Sequence, residues 1–263
     1  MPSDNADADD DSNAATTDDA LTTGVSTFFQ VTRDERRCVS PLCGGYWVSR
    51  VNAATTRCSD GSSQKACYVA DLDLAKLALP GATTADLTSD PSRLLLRGTI
   101  RSKAYSGSGN FGTFRATEAW RAAASGAASG TFYLVEDAGI RCVRAPCPST
   151  RERKLNSAAV PKNISGVDLE AAPGSQDDKD TAIDEIMVRG LIVSGTNAGT
   201  GSERVLHGSQ YFERVRGELS PGDACSPGDA CGGGTKCCYP CGIQGCTNRC
   251  ITPTSSGGCP MFM

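Results

Sequence analysis

One stretch of this chain occurs twice, and that constrains the fold more than anything else in it. TFFQVTRDERRCVSPLC, from Thr27 to Cys43, returns as TFYLVEDAGIRCVRAPC, from Thr131 to Cys147, at an offset of 131 − 27 = 104. A second pair of blocks, Leu94–Trp120 and Ile186–Phe212, aligns LLLRGTI with IMVRGLI at an offset of 92. The pattern predicts two copies of one β domain, residues 27–122 and 131–216, after a leader (1–26) and before a cysteine-rich tail (223–263).

The fourteen cysteines set the compartment. Reducing compartments do not keep so many thiols paired, so the count predicts an exported protein. Zinc is the weaker reading, because His207 is the single histidine and no carboxylates interleave with the cysteine cluster. No metal or other cofactor is expected. The leader carries seven Asp and no basic residue, which leaves −4 − (−7) = +3 on the remainder. A near-neutral body gives no electrostatic reason to expect nucleic acid or an anionic membrane as partner. No apolar run reaches the ~18 residues of a membrane span. The leader also lacks the basic start and apolar centre of a signal peptide, so for an exported chain residue 1 is read as following a processed segment. Asp7, Asp9, Asp11 and Asp18 have calcium-loop spacing, but Ser12 stands where the turn wants Gly, and a solvated acidic tether is the better reading.

Period two marks the strands. Thr27–Thr32 and Tyr46–Val51 are rich in aromatic and β-branched residues. Leu94, Leu96, Gly98 and Ile100 share one face, as do Phe114, Ala116 and Trp120. Their expected counterparts are Ile186, Val188, Gly190 and Ile192, then Leu206, Gly208 and Phe212. Retention of phase is what a buried face predicts. Arg97-Gly98 and Arg189-Gly190 inside strands read as bulges or tight bends. ATEAWRAAA, residues 116–124, has helical propensity that its counterpart GSQYFERVR lacks, so a strand is expected. Asp71–Leu79 fits one helical turn or a strand end.

The copies differ by 104 − 92 = 12 residues between the two pairs of blocks, and the deficit is assigned to the hairpin that carries Cys58 and Cys67. Two cysteines vanish with one hairpin, which pairs Cys58 with Cys67, Cys38 with Cys43 and Cys142 with Cys147. Crossed pairing of Cys38 with Cys67 and Cys43 with Cys58 stays open.

RRCVSPLCGGYWVSRVN, CYVADLD, LLLRGTI and FRATEAW together resemble a family of exported bacterial domains of unknown function, often found on secreted or lipid-anchored proteins. The resemblance implies export and a small β-rich domain, and it brings no site residues with it. In the tail, GDACGGGTKCC is similar to the second half of a whey-acidic-protein four-disulfide core. That likeness implies Cys225 with Cys237 and Cys231 with Cys250, leaving Cys241 and Cys259 as partners for Cys238 and Cys246. The first two cysteines of that family, which bracket its protease-binding loop, have no counterpart before Cys225.

Other constellations read blandly. Cys238-Tyr-Pro-Cys241 is a formal redox motif inside a dense cysteine knot, so a structural role is expected. His207 lies opposite Leu206 and reads as a surface residue. Gly199-Thr-Gly201-Ser202 lacks the lysine of a phosphate loop. Asn163-Ile-Ser165 is a sequon that matters only in a glycosylating host. The fold class expected is mainly β: two tandem small antiparallel barrels or sandwiches, with an oligosaccharide-binding-like barrel preferred, and a disulfide-rich C-terminal segment. The function expected is that of a non-enzymatic exported protein acting by binding or as envelope structure, with no catalytic or cofactor-binding residues. The alternative is a secreted protease inhibitor working through the tail.

Overall fold

The computed structural model describes residues 26–225, 229–240 and 246–260. The aspartate run of the leader and Cys241 lie outside the described residues. In the first half the strands are β1 (Thr27–Arg33), β2 (Tyr46–Arg50), β3 (Thr56–Arg57), β4 (Ser63–Gln64), β5 (Cys67–Val69) and β6 (Asp71–Asp73). Helix α1 (Gly81–Ser89) leads into the long hairpin of β7 (Leu94–Tyr105) and β8 (Gly109–Ala122). The second half repeats the order: β9 (Thr131–Asp137), β10 (Thr150–Lys154), β11 (Lys162–Ile164), β12 (Gly166–Asp168), helix α2 (Gln176–Ile186), β13 (Leu191–Ala198) and β14 (Val205–Val215). The tail adds a small ladder of β15 (Lys236–Cys238) and β16 (Arg249–Ile251).

The two halves share one sheet, in the order β11-β10-β9-β13-β14-β8-β7-β1-β2-β5, with β6 and β12 added in parallel to β8 and β14. The order reads the same from either edge once the halves are matched. The seam shows why. β8 and β14 are antiparallel, and Arg121 faces Glu213, at an offset of 213 − 121 = 92. On either side Ala122 faces Phe212 and Trp120 faces Arg214, so each position meets the other's counterpart. A local two-fold axis through the Arg121–Glu213 pair, normal to the sheet, satisfies that register.

Packing follows the same plan. One core cluster, with Phe29, Leu96 and Phe114, belongs to the first half, and another, with Val193, Leu206 and Tyr211, to the second. A third joins Phe28, Leu95 and Trp120 to Phe132, Ile192 and Phe212. Separate tandem domains are therefore the wrong description: the seam ladder and this joint core make the halves one body. The closed barrel is corrected as well. The path from β5 to β11 stays open, because three-residue edge strands turn inward on single backbone bonds, Ala70 N–H to the Gly112 carbonyl and Ser165 N–H to that of Arg204, both 2.8 Å. The result is sandwich-like.

Where the folded sheet brings the halves together, each half reaches into the other with an asparagine. The Asn52 side chain donates to the Phe132 and Leu155 carbonyls (2.8 and 3.0 Å) and accepts from the Phe132 N–H (2.9 Å). Asn156 does the same to Phe28 and Val51 (2.8 and 2.9 Å) and accepts from the Phe28 N–H (2.8 Å). Both sit in the left-handed region, at φ 57° and 54°. This is the conformation in which Asn is among the few tolerated L residues.

Two helices went unpredicted, and one of them explains a misalignment. Ser175 and Asp178 form a capping box that starts α2, which buries Ala182 and Ile186. Ile186 therefore ends a helix and does not begin a strand. Val188 is 64% exposed, and Gly190, at φ +77°, lies in the turn before β13. The counterpart of LLLRGTI is LIVSGTN, at an offset of 195 − 98 = 97, since Gly98 and Gly195 both lie at bulges and face Thr27 and Thr131. The 12-residue deficit is then three events. The β3–β4 hairpin accounts for 104 − 95 = 9 residues, the helical segment returns 97 − 95 = 2, and the β7–β8 hairpin is longer by 97 − 92 = 5. The strand at 116–124 stands through Ala122, and Asp71–Leu79 is a strand end followed by a 3-10 turn at Ala75–Leu77.

Gly98 is needed for space. A Cβ there would lie 2.2 Å from the Arg115 carbonyl oxygen and 2.7 Å from the Phe114 ring. Gly98→Ala should cost about 2–3 kcal/mol by overpacking. Gly107→Ala, where nothing lies within 4 Å but φ is +74°, should cost about 1 kcal/mol. Urea midpoints of the two variants check the ranking.

Candidate functional site

The loop between β1 and β2 is built around Asp34. The carboxylate is only 4% exposed and accepts a two-point contact from the Arg36 guanidinium, Nε to Oδ1 and Nη2 to Oδ2, both 2.9 Å. It also accepts from the Arg36 and Gly44 backbone N–H groups (3.2 Å each) and from Trp47 Nε1 (3.3 Å). The Arg36 guanidinium lies 5.1 Å from both the Trp47 and the Tyr68 ring centres, so it is stacked as well as paired. Tyr68 in turn donates its hydroxyl to the Pro41 carbonyl at 2.8 Å. The Cys38–Cys43 bond closes the loop and Cys43 is buried.

All of this bracing lies beneath a turn, Val39 to Leu42, closed by the Leu42 N–H to the Val39 carbonyl at 3.0 Å. Its apolar side chains point outward: Val39 is 78% exposed and Leu42 53%. A rigid support under an exposed apolar tip lowers the entropy lost on docking, which is how preorganised loops gain affinity. The matching loop of the second half, closed by Cys142–Cys147, displays Val143 fully exposed. It is held by a lighter brace, Arg141 on Asp137 with two 3.0 Å contacts.

The Arg36 contact, opposed by burial, pulls the Asp34 carboxyl down to about 2. Arg141 does the same for Asp137, also to about 2. A depressed carboxyl stabilises the folded loop fully above the unfolded value, about 3.9, and that contribution disappears as pH falls through the folded value. Trp47 emission should therefore change between about pH 4 and pH 2, and Asp34→Asn should abolish the change. An unaltered titration in the variant would remove Asp34 as the cause.

A second feature lies where α2, the end of β14 and the tail meet. The Arg189 guanidinium bonds Asp229 of the tail at 2.8 and 2.6 Å and Glu185 of α2 at 3.0 Å, with little of its side chain exposed. Beside it is a hollow of about 390 Å³ that Glu213, Arg214 and Arg216 also line.

The predicted site residues fall as follows. Cys38 is bonded to Cys43, Cys58 to Cys67 and Cys142 to Cys147. In the tail Cys225 is bonded to Cys237, Cys231 to Cys250 and Cys238 to Cys259, and Cys246 is also in a disulfide. The sulfurs of Cys225, Cys231 and Cys250 lie within 4.8 Å of one another, but all three are already oxidised. His207 is half exposed, with Nδ1 2.8 Å from Asp168 Oδ2, and lines neither the Arg189 hollow nor those at Gln30 and Lys76. The Asp34 cluster and the asparagine pair escaped the sequence reading. One available signal was Asn52 and Asn156 recurring at the offset of 104.

A family model described as Domain of unknown function (DUF6748) matches residues 27–217, spanning both halves at once. The chain belongs to that family. Its boundaries agree with the shared sheet, and the cysteine-rich tail lies outside the DUF6748 match. No curated protein matches the chain, and no solved structure does. Among the described residues no helix is long and apolar enough to cross a membrane. The paired cysteines are consistent with an oxidising, non-cytoplasmic compartment.

Proposed function

We propose that this DUF6748 protein is a non-enzymatic module exported to the periplasm, cell surface or medium, and that it acts by binding through its disulfide-closed loops. The observation that carries this reading is the Cys38–Cys43 loop, where Asp34, Arg36, Trp47 and Tyr68 hold a turn whose Val39 and Leu42 face solvent. The two-fold register of the seam supports an origin by duplication of one β unit, with two such loops on one body. Val39 and Leu42 make no part of the core, so Val39→Asp with Leu42→Asp leaves the fold intact. Immobilised wild-type protein should enrich a specific envelope partner, and this double variant should lose that partner at least tenfold. An unchanged capture profile from the folded variant would discard the loop as the contact.

The inhibitor reading rests on the tail. Cys225–Cys237 and Cys231–Cys250 are the pairs that the whey-acidic-protein likeness implies, and Lys236 is exposed beside them. Stoichiometric inhibition of a serine protease by the full chain would favour it. Failure against a panel would remove it.

A further inference from the structure

The hollow beside Arg189 has walls of balanced charge: Arg189, Arg214 and Arg216 against Glu185, Glu213 and Asp229. Four of the six are already engaged. Arg189 holds Glu185 and Asp229, and Arg214 reaches Glu118 at 3.7 Å and stacks on Trp120. That leaves one carboxylate and one guanidinium, Glu213 and Arg216, with no ion pair or side-chain hydrogen bond among the described residues. Both are perturbed. Partial desolvation, with Glu185 and Asp178 nearby, raises the Glu213 carboxyl, and desolvation with Arg189 nearby lowers Arg216. A simple anion would satisfy Arg216 and leave Glu213 worse off, and a simple cation would do the reverse. Glu213 lies near the end of β14 and Arg216 is the residue just beyond it, so the three-residue step between their Cα atoms spans about 10 Å when the chain is extended. An α-amino acid carries its charges too close together to meet both. A short peptide, at about 3.5 Å per residue, has an ammonium and a carboxylate at a better separation. The volume of about 390 Å³ lies within the usual range of small-ligand sites.

We infer that this hollow is a binding site for short zwitterionic peptides, with Arg216 receiving the C-terminal carboxylate and Glu213 the N-terminal ammonium. The tail forms part of the wall through Asp229, so the site belongs to the full chain and does not depend on the loop reading above.

Calorimetric titration of the full-length protein at low salt with dialanine and trialanine tests it. Saturable binding is expected for at least one of them. N-acetylation or C-amidation of that peptide should each weaken binding at least fivefold on the wild-type protein, which needs no variant to fold. Arg216→Ala should mimic the loss from amidation and Glu213→Gln the loss from acetylation. Absence of saturable binding into the millimolar range would overturn the inference. So would capped peptides that bind as well as free ones.

Discussion

Replacing Asn52 by alanine should cost the protein on the order of 4 kcal/mol, and replacing Asn156 should cost the same. Each substitution leaves one carbonyl (Leu155 or Val51) and one N–H (Phe132 or Phe28) of the opposite half without a partner, at about 1–3 kcal/mol for each orphaned buried group. It leaves the Phe132 or Phe28 carbonyl with only its backbone donor, the Leu155 or Val51 N–H. It also places a Cβ-bearing residue without a polar side chain in the left-handed region, for about 1 kcal/mol more. The two sites make the same three contacts, none differing by more than about 0.1 Å, so equal losses are a direct consequence of the two-fold arrangement. Together they approach the whole stability of an ordinary domain, about 5–15 kcal/mol, and the double variant should be largely unfolded at 25 °C. Asn52→Gly removes the hydrogen bonds but not the conformational tolerance, so it should be about 1 kcal/mol less harmful than Asn52→Ala. Asn52→Asp should be worse, since a carboxylate cannot donate to the Phe132 and Leu155 carbonyls. Guanidinium denaturation followed by Trp fluorescence measures all five variants. A loss below 1 kcal/mol for either alanine variant would mean that water replaces the side chain and that the clasp is incidental.

That pair also shows what a sequence yields and what it withholds. The repetition of Thr27–Cys43 at 104 residues is a local pattern, and the strands it implies are there, with Phe29, Val31 and Val48 buried in alternation. Alternation records only which face of a strand is wet. It is silent on which strand lies beside which, so two barrels and one folded sheet were equally compatible with it. The seam that decides between them rests on Arg121 meeting Glu213, a pairing across 92 residues with no local signature. Helix α2 is a different lesson. Ser175 and Asp178 form a recognisable capping signal, but the apparent match of IMVRGLI to LLLRGTI drew Ile186 into a strand. The better match, LIVSGTN, has no more identical residues, three in each case, but it has the same backbone role. The Asp34 site was hidden for a related reason. Asp34 and Arg36 stand two apart in a charged run, and only the fold brings the packed pair of Trp47 and Tyr68 rings up against the guanidinium.

The tail should respond to a reductant as the sheet does not. Every buried hydrophobic residue described beyond Leu219 is a cysteine, namely Cys225, Cys238 and Cys250, so the segment has no core apart from its sulfurs. Its three assigned bonds close spans of 12, 19 and 21 residues, and the chain-entropy relation gives each roughly 3 kcal/mol. Losing all three removes more than the short β15–β16 ladder and the Arg189–Asp229 contact can replace. The sheet stands differently. Its three bonds close local spans of 5, 9 and 5 residues at its loops, at roughly 2 kcal/mol each, while Leu95, Leu96, Phe114, Ile192 and Leu206 are fully buried without them. In dithiothreitol, hydrogen exchange should therefore become fast at the Cys237 and Cys250 amides while β7, β8, β13 and β14 stay protected. Trypsin should cut after Lys236 and Arg249 and leave a resistant fragment that contains residues 27–217 together with the leader, which offers trypsin no site. The same fragment should form whether reduction precedes or accompanies digestion, because the sheet does not need the tail to hold its register. Simultaneous loss of protection in sheet and tail would show instead that the two unfold as one cooperative unit, and the boundary at residue 217 would then have no thermodynamic meaning.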